Sequence, residues 1–176
     1  GREKDMNPSR RNVIKGVASL PFILPSRIWA AQTPPSGRLG VGFIGMGIQS
    51  RGLLNSFLHE DVQVVAVCDV DTTRREAARK RVDEHYAALP ASGRPGCATY
   101  DDFRELLARK DVDAVCIATP DHWHAIITLA ALRAGKDVYC EKPLTHNIHE
   151  ALEVMKAVDA NRRVLQTGSM QRSMKE

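Results

Sequence analysis

The sequence predicts a doubly wound parallel α/β sheet with helices on both faces. Short apolar runs rich in β-branched residues alternate with segments whose apolar residues recur at helical spacing. The first run, Leu39–Ile44, stops at the glycine turn Gly45-Met46-Gly47, and a helical pattern follows. Strands that alternate with crossover helices form a parallel sheet, which holds its ligands at the carboxyl ends of the strands.

The glycine turn is typical of a dinucleotide site. In such a site Gly45 permits the tight turn, and Gly47 lets the backbone approach a pyrophosphate that binds the amides of the following helix. Ser50 stands where the full fingerprint has its third glycine, and an isolated glycine pair fits an ordinary turn equally well. With the evidence below, we assign to cofactor binding the residues Gly45, Met46, Gly47 and Ile48.

The second apolar run, residues 62–71, ends in acidic residues. Asp69 lies twenty-two positions after Gly47, where a carboxylate that binds the adenosine ribose hydroxyls belongs. The alternative role for an acidic residue here is to cap the next helix, and Asp71 fits that role. Residues 73–76 have the pattern of a capping box. We therefore assign Asp69 to the cofactor.

The remaining elements keep the same alternation. The pattern first predicts a helix over 72–86 with Ala78, Val82 and Tyr86 inward, then a loop over 89–96. Residues 100–103 lead into a short helix that ends near Arg109, and a strand over Val112–Ala118 follows. Next come a helix from about Asp121 to Gly135 and a strand over Lys136–Cys140. The last elements are a helix that begins at Asn147 and a strand over Val164–Thr167. One face of that helix carries Ile148, Ala151, Leu152, Met155 and Val158.

The main part of the chain lacks the charge pattern of a nucleic-acid-binding protein. Of 176 residues, 43% are hydrophobic and 26% are charged, which suits one globular domain. The net charge of +4 arises in the first 38 residues, where seven basic side chains face two acidic ones, leaving eighteen against nineteen afterwards. A near-neutral body without interleaved aromatic and basic residues argues against a nucleic-acid partner.

The N-terminal segment, residues 1–37, resembles a twin-arginine signal peptide with its linker. Arg10 and Arg11 precede a weakly apolar stretch and the small residues Ala30 and Ala31. Pro21 and Pro25 interrupt any helix there, so we expect no stable membrane span. The resemblance implies export of the folded protein by the twin-arginine translocation machinery, to the periplasm or another exported location.

Neither the cysteines nor the histidines predict a metal site. The four cysteines lack CxxC spacing, and three of them lie at or near the ends of predicted strands, so we expect buried thiols. His122 and His124 stand two residues apart on a predicted helix and therefore do not share a face. We predict no metal ion.

Four motifs converge on the carboxyl edge of the predicted sheet. They are the glycine turn, Asp69, the segment Thr119-Pro120 with His124, and the pair Glu141-Lys142. A carboxylate, a hydroxyl, an imidazole and an ammonium along one edge indicate a binding site. The alternative for the last pair is an ordinary surface ion pair. We add to the site the residues Thr119, Pro120, His124, Glu141 and Lys142.

In this order the motifs resemble the N-terminal half of a Gfo/Idh/MocA oxidoreductase. They run from residue 42 to about residue 172 and read GFIGMG, VCDVD, YDDF, DAVCIATPDHWH and AGKDVYCEKP. The resemblance implies an NAD cofactor, with NADP possible, whose pyrophosphate lies at the glycine turn and whose ribose lies at Asp69. It places Thr119, His124 and Glu141 along the nicotinamide half, and Lys142 beside the reacting carbon as a catalytic residue.

The resemblance also implies a domain division. Residues 38–170 form the NAD(P)-binding Rossmann domain, and residues 171–176 begin a C-terminal α/β substrate domain that this sequence lacks. In the family that domain supplies a catalytic aspartate and histidine and much of the oligomer contact, so we expect the complete protein to be a homo-oligomer. We expect the fragment alone to bind cofactor and to be inactive.

Three functions remain open at this point. The first is an exported dehydrogenase that transfers a hydride between NAD and a hydroxyl carbon of a sugar or cyclitol. The second is an NAD-dependent glycosidase that acts by transient oxidation and elimination. The third is a dinucleotide-binding module without catalysis. Because the Asp69 carboxylate repels a 2′-phosphate, we expect NAD over NADP, although Arg74 and Arg75 lie close enough in sequence to temper that preference.

Overall fold

The structure is a computed structural model that describes residues 37–89 and 96–169. In this part of the chain six parallel strands form one sheet in the order β3-β2-β1-β4-β5-β6. The strands are β1 (Leu39–Ile44), β2 (Val62–Cys68), β3 (Ala98–Tyr100), β4 (Ala114–Ile117), β5 (Asp137–Cys140) and β6 (Leu165–Thr167). The helices are α1 (Ile48–Leu58), α2 (Thr72–Ala87), α3 (Phe103–Leu107), α4 (His124–Arg133) and α5 (Ile148–Asn161).

This architecture confirms the predicted doubly wound sheet. Strand β1 lies inside the sheet, with β2 on one side and β4 on the other. The chain adds β2 and β3 on one side of β1 and then β4, β5 and β6 on the other, so the strand order reverses at β1. An open α/β sheet binds its ligand in the crevice at such a reversal, at the carboxyl ends of the strands. The predicted export signal, most of the predicted loop and the residues after Ser169 lie outside the described residues.

Strand β3 was not predicted. It is a half-buried edge strand of three residues that pairs with the end of β2, Ala66 opposite Ala98 and Cys68 opposite Tyr100. Three residues are too few to show an alternating pattern, and an edge strand needs less apolar sequence than a central one. The sequence predicted only that residues 100–103 lead into a helix; in the structure Tyr100 ends β3 and α3 begins at Phe103.

The sheet buries apolar side chains on both faces. From β1, Val41 and Phe43 pack on one face and Ile44 on the other, as alternation along a strand requires. The predicted inward stripe of α2 is confirmed, because Ala78, Val82 and Tyr86 are all buried. A sheet covered on both faces leaves its strand ends as the accessible edge.

Two helix starts show how well capping could be read. Asn147 caps α5 by accepting a hydrogen bond from the Glu150 N–H at 2.9 Å, as predicted. At α2 the cap is Asp71, which accepts from the backbone N–H groups of Thr73 and Arg74. The capping-box reading of residues 73–76 was wrong, because the helix already begins at Thr72.

One predicted apolar face does not pack inward. On α5, Ile148, Leu152 and Met155 are 80%, 49% and 63% exposed, whereas Val154 is buried. Ala157 and Val158 contact the edge of the core. Helical spacing correctly identified a shared stripe, but the stripe faces away from the sheet over most of its length.

The cysteine prediction can be compared with the described residues. All four cysteines are buried free thiols, which confirms their predicted place in the core. Burial raises the pKa of Cys68 and Cys97 to about 12 and that of Cys140 to about 11. Across residues 37–89 and 96–169 we find no cluster of three potential metal ligands and no helix with the length and hydropathy of a membrane span.

At the opposite end of the sheet, a buried lysine joins two loops. Lys136 is 9% exposed, and its ammonium donates to the carbonyl oxygens of Arg109 at 2.7 Å and Val112 at 2.8 Å. We expect Lys136→Met to lower the free energy of unfolding by about 2–4 kcal/mol, because both buried carbonyls lose a charged donor. Urea unfolding measures this loss. Exposed Lys110 is the matched control, and Lys110→Met should change stability by less than about 0.5 kcal/mol; equal losses would contradict the assignment.

Candidate cofactor site

The glycine turn is wedged between strand ends. Gly45 has a φ of +87°, and a Cβ there would lie 2.8 Å from the backbone of Ala118 and Thr119. Its N–H donates to the Cys68 carbonyl at 2.8 Å. Both the positive φ and the close backbone contact require glycine at this position.

Gly47 is constrained differently. It is the N-cap of α1, has an ordinary negative φ of −71°, and a Cβ there would meet no protein atom within 4 Å. No side chain caps the helix, and no acidic residue lies in its first turn. The first amides of α1 therefore face an open space with a partial positive charge, which suits an anionic group that approaches the backbone.

Asp69 fixes the turn from the end of β2. Its Oδ2 accepts a hydrogen bond from the Met46 N–H at 2.6 Å, and its Oδ1 accepts from the Asp71 N–H at 2.8 Å. A carboxylate has about four acceptor sites, so capacity remains for ribose hydroxyls. Asp69, which the sequence predicted as a ribose ligand, therefore also holds the glycine turn in place. Its distance in sequence from Gly47 did not reveal this second role.

Ser50 explains how α1 tolerates a missing glycine. The serine is fully buried, and its hydroxyl contacts the Met46 thioether at 3.6 Å. Met46 is itself 2% exposed and packs in the core beside Phe43. The Met46 side chain therefore anchors the glycine turn in the core, while the Met46 backbone N–H donates to Asp69.

A groove of about 600 Å³ runs along this edge of the sheet. It contains the predicted residues Gly45, Gly47, Ile48, Asp69, Thr119 and Pro120. Phe103, Arg104 and Trp123 also line it and were missed from the sequence. The Phe103 and Trp123 rings meet edge to face at 6.4 Å, and the Arg104 guanidinium lies 4.6 Å from the Phe103 ring centre. Phe103 is the last residue of the motif YDDF, but because β3 was not predicted, the sequence did not place that motif at the edge of the sheet.

A second cavity of about 330 Å³ continues the groove past Thr119. The two share Gln49, Ala118 and Thr119. Glu141, His124, Lys142, Pro143 and Asp121 complete the second cavity. The structure thus brings nine of the ten predicted site residues to the lining of one continuous rim; the tenth, Met46, lies beneath it.

Glu141 is a buried carboxylate held by neutral donors. It is 4% exposed and accepts from the Gln49 side-chain amide at 3.2 Å and the Tyr139 hydroxyl at 3.3 Å. Burial, with the nearby Glu141 charge, raises the pKa of Tyr139 to about 12. Gln49 was not predicted, because a glutamine in the first turn of a helix carries no sequence signal by itself.

Lys142 is exposed beside this carboxylate. Its backbone N–H donates to Glu141 Oε2 at 3.3 Å, and the Lys142–Pro143 peptide bond is cis. Within residues 37–89 and 96–169 its ammonium has no ion pair. The alternative of a surface ion pair between Glu141 and Lys142 is therefore not observed, and the ammonium is available to a ligand in the cavity.

His124 lies deeper than the other predicted residues. The side chain is 2% exposed, with Nδ1 2.6 Å from the Pro143 carbonyl oxygen and Nε2 2.9 Å from the Thr119 carbonyl oxygen. Both ring nitrogens face backbone, so a direct contact between this ring and a cofactor stays a prediction. By contrast, His122 is exposed on the short 3₁₀ turn that precedes α4.

The residues present fit a dinucleotide. The open side of Gly47 and the uncapped N-terminus of α1 suit a pyrophosphate, and Asp69 has acceptor capacity for a ribose. The buried Thr119 Oγ1 has no hydrogen-bond partner in the described part of the chain, although it lies between the groove and the second cavity.

Comparison with known proteins agrees with this geometry. The family model described as "Oxidoreductase family, NAD-binding Rossmann fold" matches residues 39–169. Inositol 2-dehydrogenase from Salmonella typhimurium is 36% identical over 141 residues, which are 80% of this chain and 38% of that protein. Glycosyl hydrolase family 109 protein 2 from Shewanella sp. strain ANA-3 is 34% identical over 131 residues, 74% of this chain and 28% of that protein. The chain thus spans 38% of the first of these relatives and 28% of the second.

Solved structures show the same fold. Myo-inositol 2-dehydrogenase from Lactobacillus plantarum matches with a TM-score of 0.67 and 25% identity, over 78% of this chain and 38% of that one. Scyllo-inositol dehydrogenase from Lactobacillus casei, solved with bound NAD(H) and scyllo-inositol, matches with a TM-score of 0.66 and 22% identity over the same shares. The chain belongs to the Gfo/Idh/MocA oxidoreductase family, and residues 39–169 are its NAD-binding Rossmann domain.

Proposed function

We propose that this chain is the cofactor-binding part of an oxidoreductase that transfers a hydride between NAD and a hydroxyl carbon of a sugar or cyclitol. The observation that carries the proposal is one continuous rim with an open glycine turn at one end. At the other end lies a lysine ammonium that forms no ion pair with the described residues. The likeness to inositol dehydrogenases supports the substrate class. Since the chain spans about a third of such relatives, this activity is proposed for a longer protein.

Each part of the rim has a distinct task in this proposal. The amides of α1 bind the pyrophosphate, Asp69 accepts from a ribose hydroxyl, and Thr119 with Glu141 flanks the nicotinamide half. When bound, NAD supplies the carbon that accepts or returns the hydride. Lys142 orients the substrate hydroxyl and stabilises the negative charge that develops on its oxygen as the proton leaves.

Cofactor preference gives the direct test of the binding site. We expect calorimetry to show tighter binding of NAD than of NADP, by about tenfold or more, because the Asp69 carboxylate repels a 2′-phosphate. The Arg75 guanidinium donates to the Asp69 carbonyl oxygen at 2.8 Å and to the Thr72 hydroxyl at 3.3 Å, so these donors are engaged by the protein and not by a 2′-phosphate. Arg74 lies 3.5 Å from Asp71 and is partly engaged there.

Asp69→Asn is the informative variant for that test. It removes the charge and keeps a carbonyl oxygen for the Met46 N–H, although the bond from the Asp71 N–H is lost. The difference in affinity between NAD and NADP should therefore narrow, and urea unfolding checks that the variant is folded. Tighter binding of NADP by the unaltered chain would contradict the preference. Failure to bind either cofactor would contradict the proposed function itself.

A glycosidase that uses NAD is the second candidate function. It is favoured by the 34% identity to a glycosyl hydrolase family 109 protein. Such an enzyme oxidises and later re-reduces the sugar, so it releases free sugar without net formation of NADH. Assay of the complete protein for both products separates the two chemistries, and absence of both would favour a binding module without catalysis.

We also propose that the segment before Arg38 directs export of the folded protein by the twin-arginine route, placing it in the periplasm or another exported location. Paired arginines before a weakly apolar stretch support this proposal. We expect replacement of Arg10 and Arg11 by lysine to abolish export of a folded reporter fused to residues 1–37. Cell fractionation measures where the reporter is found, and unchanged export would exclude a twin-arginine signal in residues 1–37.

A further inference from the structure

The loops after β4 and β5 are joined by the imidazole of His124. Ladder pairing between these strands ends at Ile117 opposite Cys140, and the Glu141 N–H then donates to the Ile117 carbonyl at 2.9 Å. Beyond that bond, within the described residues, His124 spans the diverging loops with contacts of 2.6 Å to the Pro143 oxygen and 2.9 Å to the Thr119 oxygen. Each ring nitrogen that bears a hydrogen donates to the carbonyl oxygen it faces.

The two carbonyls belong to the two sides of the second cavity. Thr119 forms the boundary between the groove and that cavity, and Pro143 follows Lys142 directly. The imidazole lies at the first turn of α4, where the helix backbone anchors it. The ring therefore fixes the distance between the loop that ends the groove and the loop that carries the lysine.

We propose that His124 is a positioning residue that shapes the nicotinamide end of the site without contacting the cofactor. This inference rests on the proposed function, because it assigns the second cavity to the nicotinamide half. Although His124 borders the second cavity, only 2% of the residue is exposed, and both ring nitrogens face backbone oxygens instead of the cavity. Its effect on binding must pass through Thr119 and Pro143.

Three substitutions separate the two contacts. His124→Leu removes both and keeps an apolar side chain of similar bulk. His124→Asn keeps a donor near the position of Nδ1, which faces Pro143, and His124→Gln keeps one near Nε2, which faces Thr119. His122→Leu is the matched control, since His122 is exposed two residues earlier.

The experiment compares NAD with ADP-ribose by calorimetry on the folded chain. ADP-ribose has the adenosine, pyrophosphate and second ribose but lacks the nicotinamide ring, so the difference between the two ligands reports on the far end of the rim. We expect the unaltered chain and His122→Leu to bind NAD more tightly than ADP-ribose. For His124→Leu, NAD affinity should fall about tenfold or more while ADP-ribose affinity stays within about twofold of the unaltered chain. The NAD affinities of His124→Asn and His124→Gln should lie between those of the unaltered chain and His124→Leu.

The outcomes distinguish this inference from its premise. If the unaltered chain binds neither ligand, the proposed function fails. If it binds both and His124→Leu weakens both equally, the residue acts on the whole fold and the positioning role is overturned. Unchanged NAD affinity in His124→Leu overturns it as well. If His124→Leu does not fold, the ratio of NAD affinity to ADP-ribose affinity in His124→Asn and His124→Gln tests the inference instead. A loss of overall stability would weaken both ligands equally and leave this ratio unchanged.

Discussion

Lys142→Met in the complete protein should lower turnover by about a hundredfold or more and leave the Kd for NAD nearly unchanged. The ammonium lines the second cavity beside Glu141 and has no ion pair in the described part of the chain. A charge that orients a hydroxyl and stabilises a developing alkoxide matters most in the transition state. Methionine keeps the length and removes the charge.

Two measurements on the same variant distinguish the possible roles of Lys142. Calorimetry gives the affinity for NAD, and steady-state rates with a cyclitol give turnover. A lysine that only holds the cofactor would lower affinity first, and normal turnover would end the catalytic assignment. Exposed Lys156 is paired with Glu153 at 2.8 Å, so Lys156→Met serves as a control that should leave both quantities unchanged.

The two glycines of the turn should respond in opposite ways to alanine. We expect Gly47→Ala to lower NAD affinity by about tenfold or more and to change stability by less than about 1 kcal/mol. A Cβ on Gly47 meets no protein atom within 4 Å, and the φ of −71° suits alanine. The added methyl group would enter the space that we assign to the pyrophosphate.

Gly45→Ala should instead destabilise the fold, by about 3 kcal/mol or more. Its φ of +87° disfavours any residue with a side chain. The new Cβ would also lie 2.8 Å from the backbone of Ala118 and Thr119, which can move only if the strand end moves. Urea unfolding and NAD calorimetry on both variants provide the comparison. Full NAD affinity in Gly47→Ala would show that no ligand backbone approaches α1 there.

Sequence alone was sufficient for the strands whose own residues determine them. Strand β1 matched its predicted range because it is a continuous apolar run that ends at a glycine turn. The carboxyl-edge rule then gathered Asp69, Thr119 and Glu141 correctly, since parallel strands end at one side of a sheet.

What the sequence could not predict depends on contacts between distant segments. Gln49 was missed because its significance lies in Glu141, ninety-two positions away. Helical spacing placed Ile148 and Met155 on one stripe of α5, but periodicity does not specify what covers a stripe. His124 was assigned to the edge by its motif, yet only coordinates show which atoms its ring faces.

The placement of the four thiols has a consequence for oxidation. Cys68 and Cys140 pack on one face of the sheet, and Cys97 and Cys116 on the other. Within each pair the strands are three positions apart in the sheet, about 14 Å at the usual strand spacing, whereas a disulfide requires Cα atoms within about 7 Å. The intact sheet separates the two faces. The folded domain therefore cannot join any two of these four thiols in a disulfide unless the sheet opens.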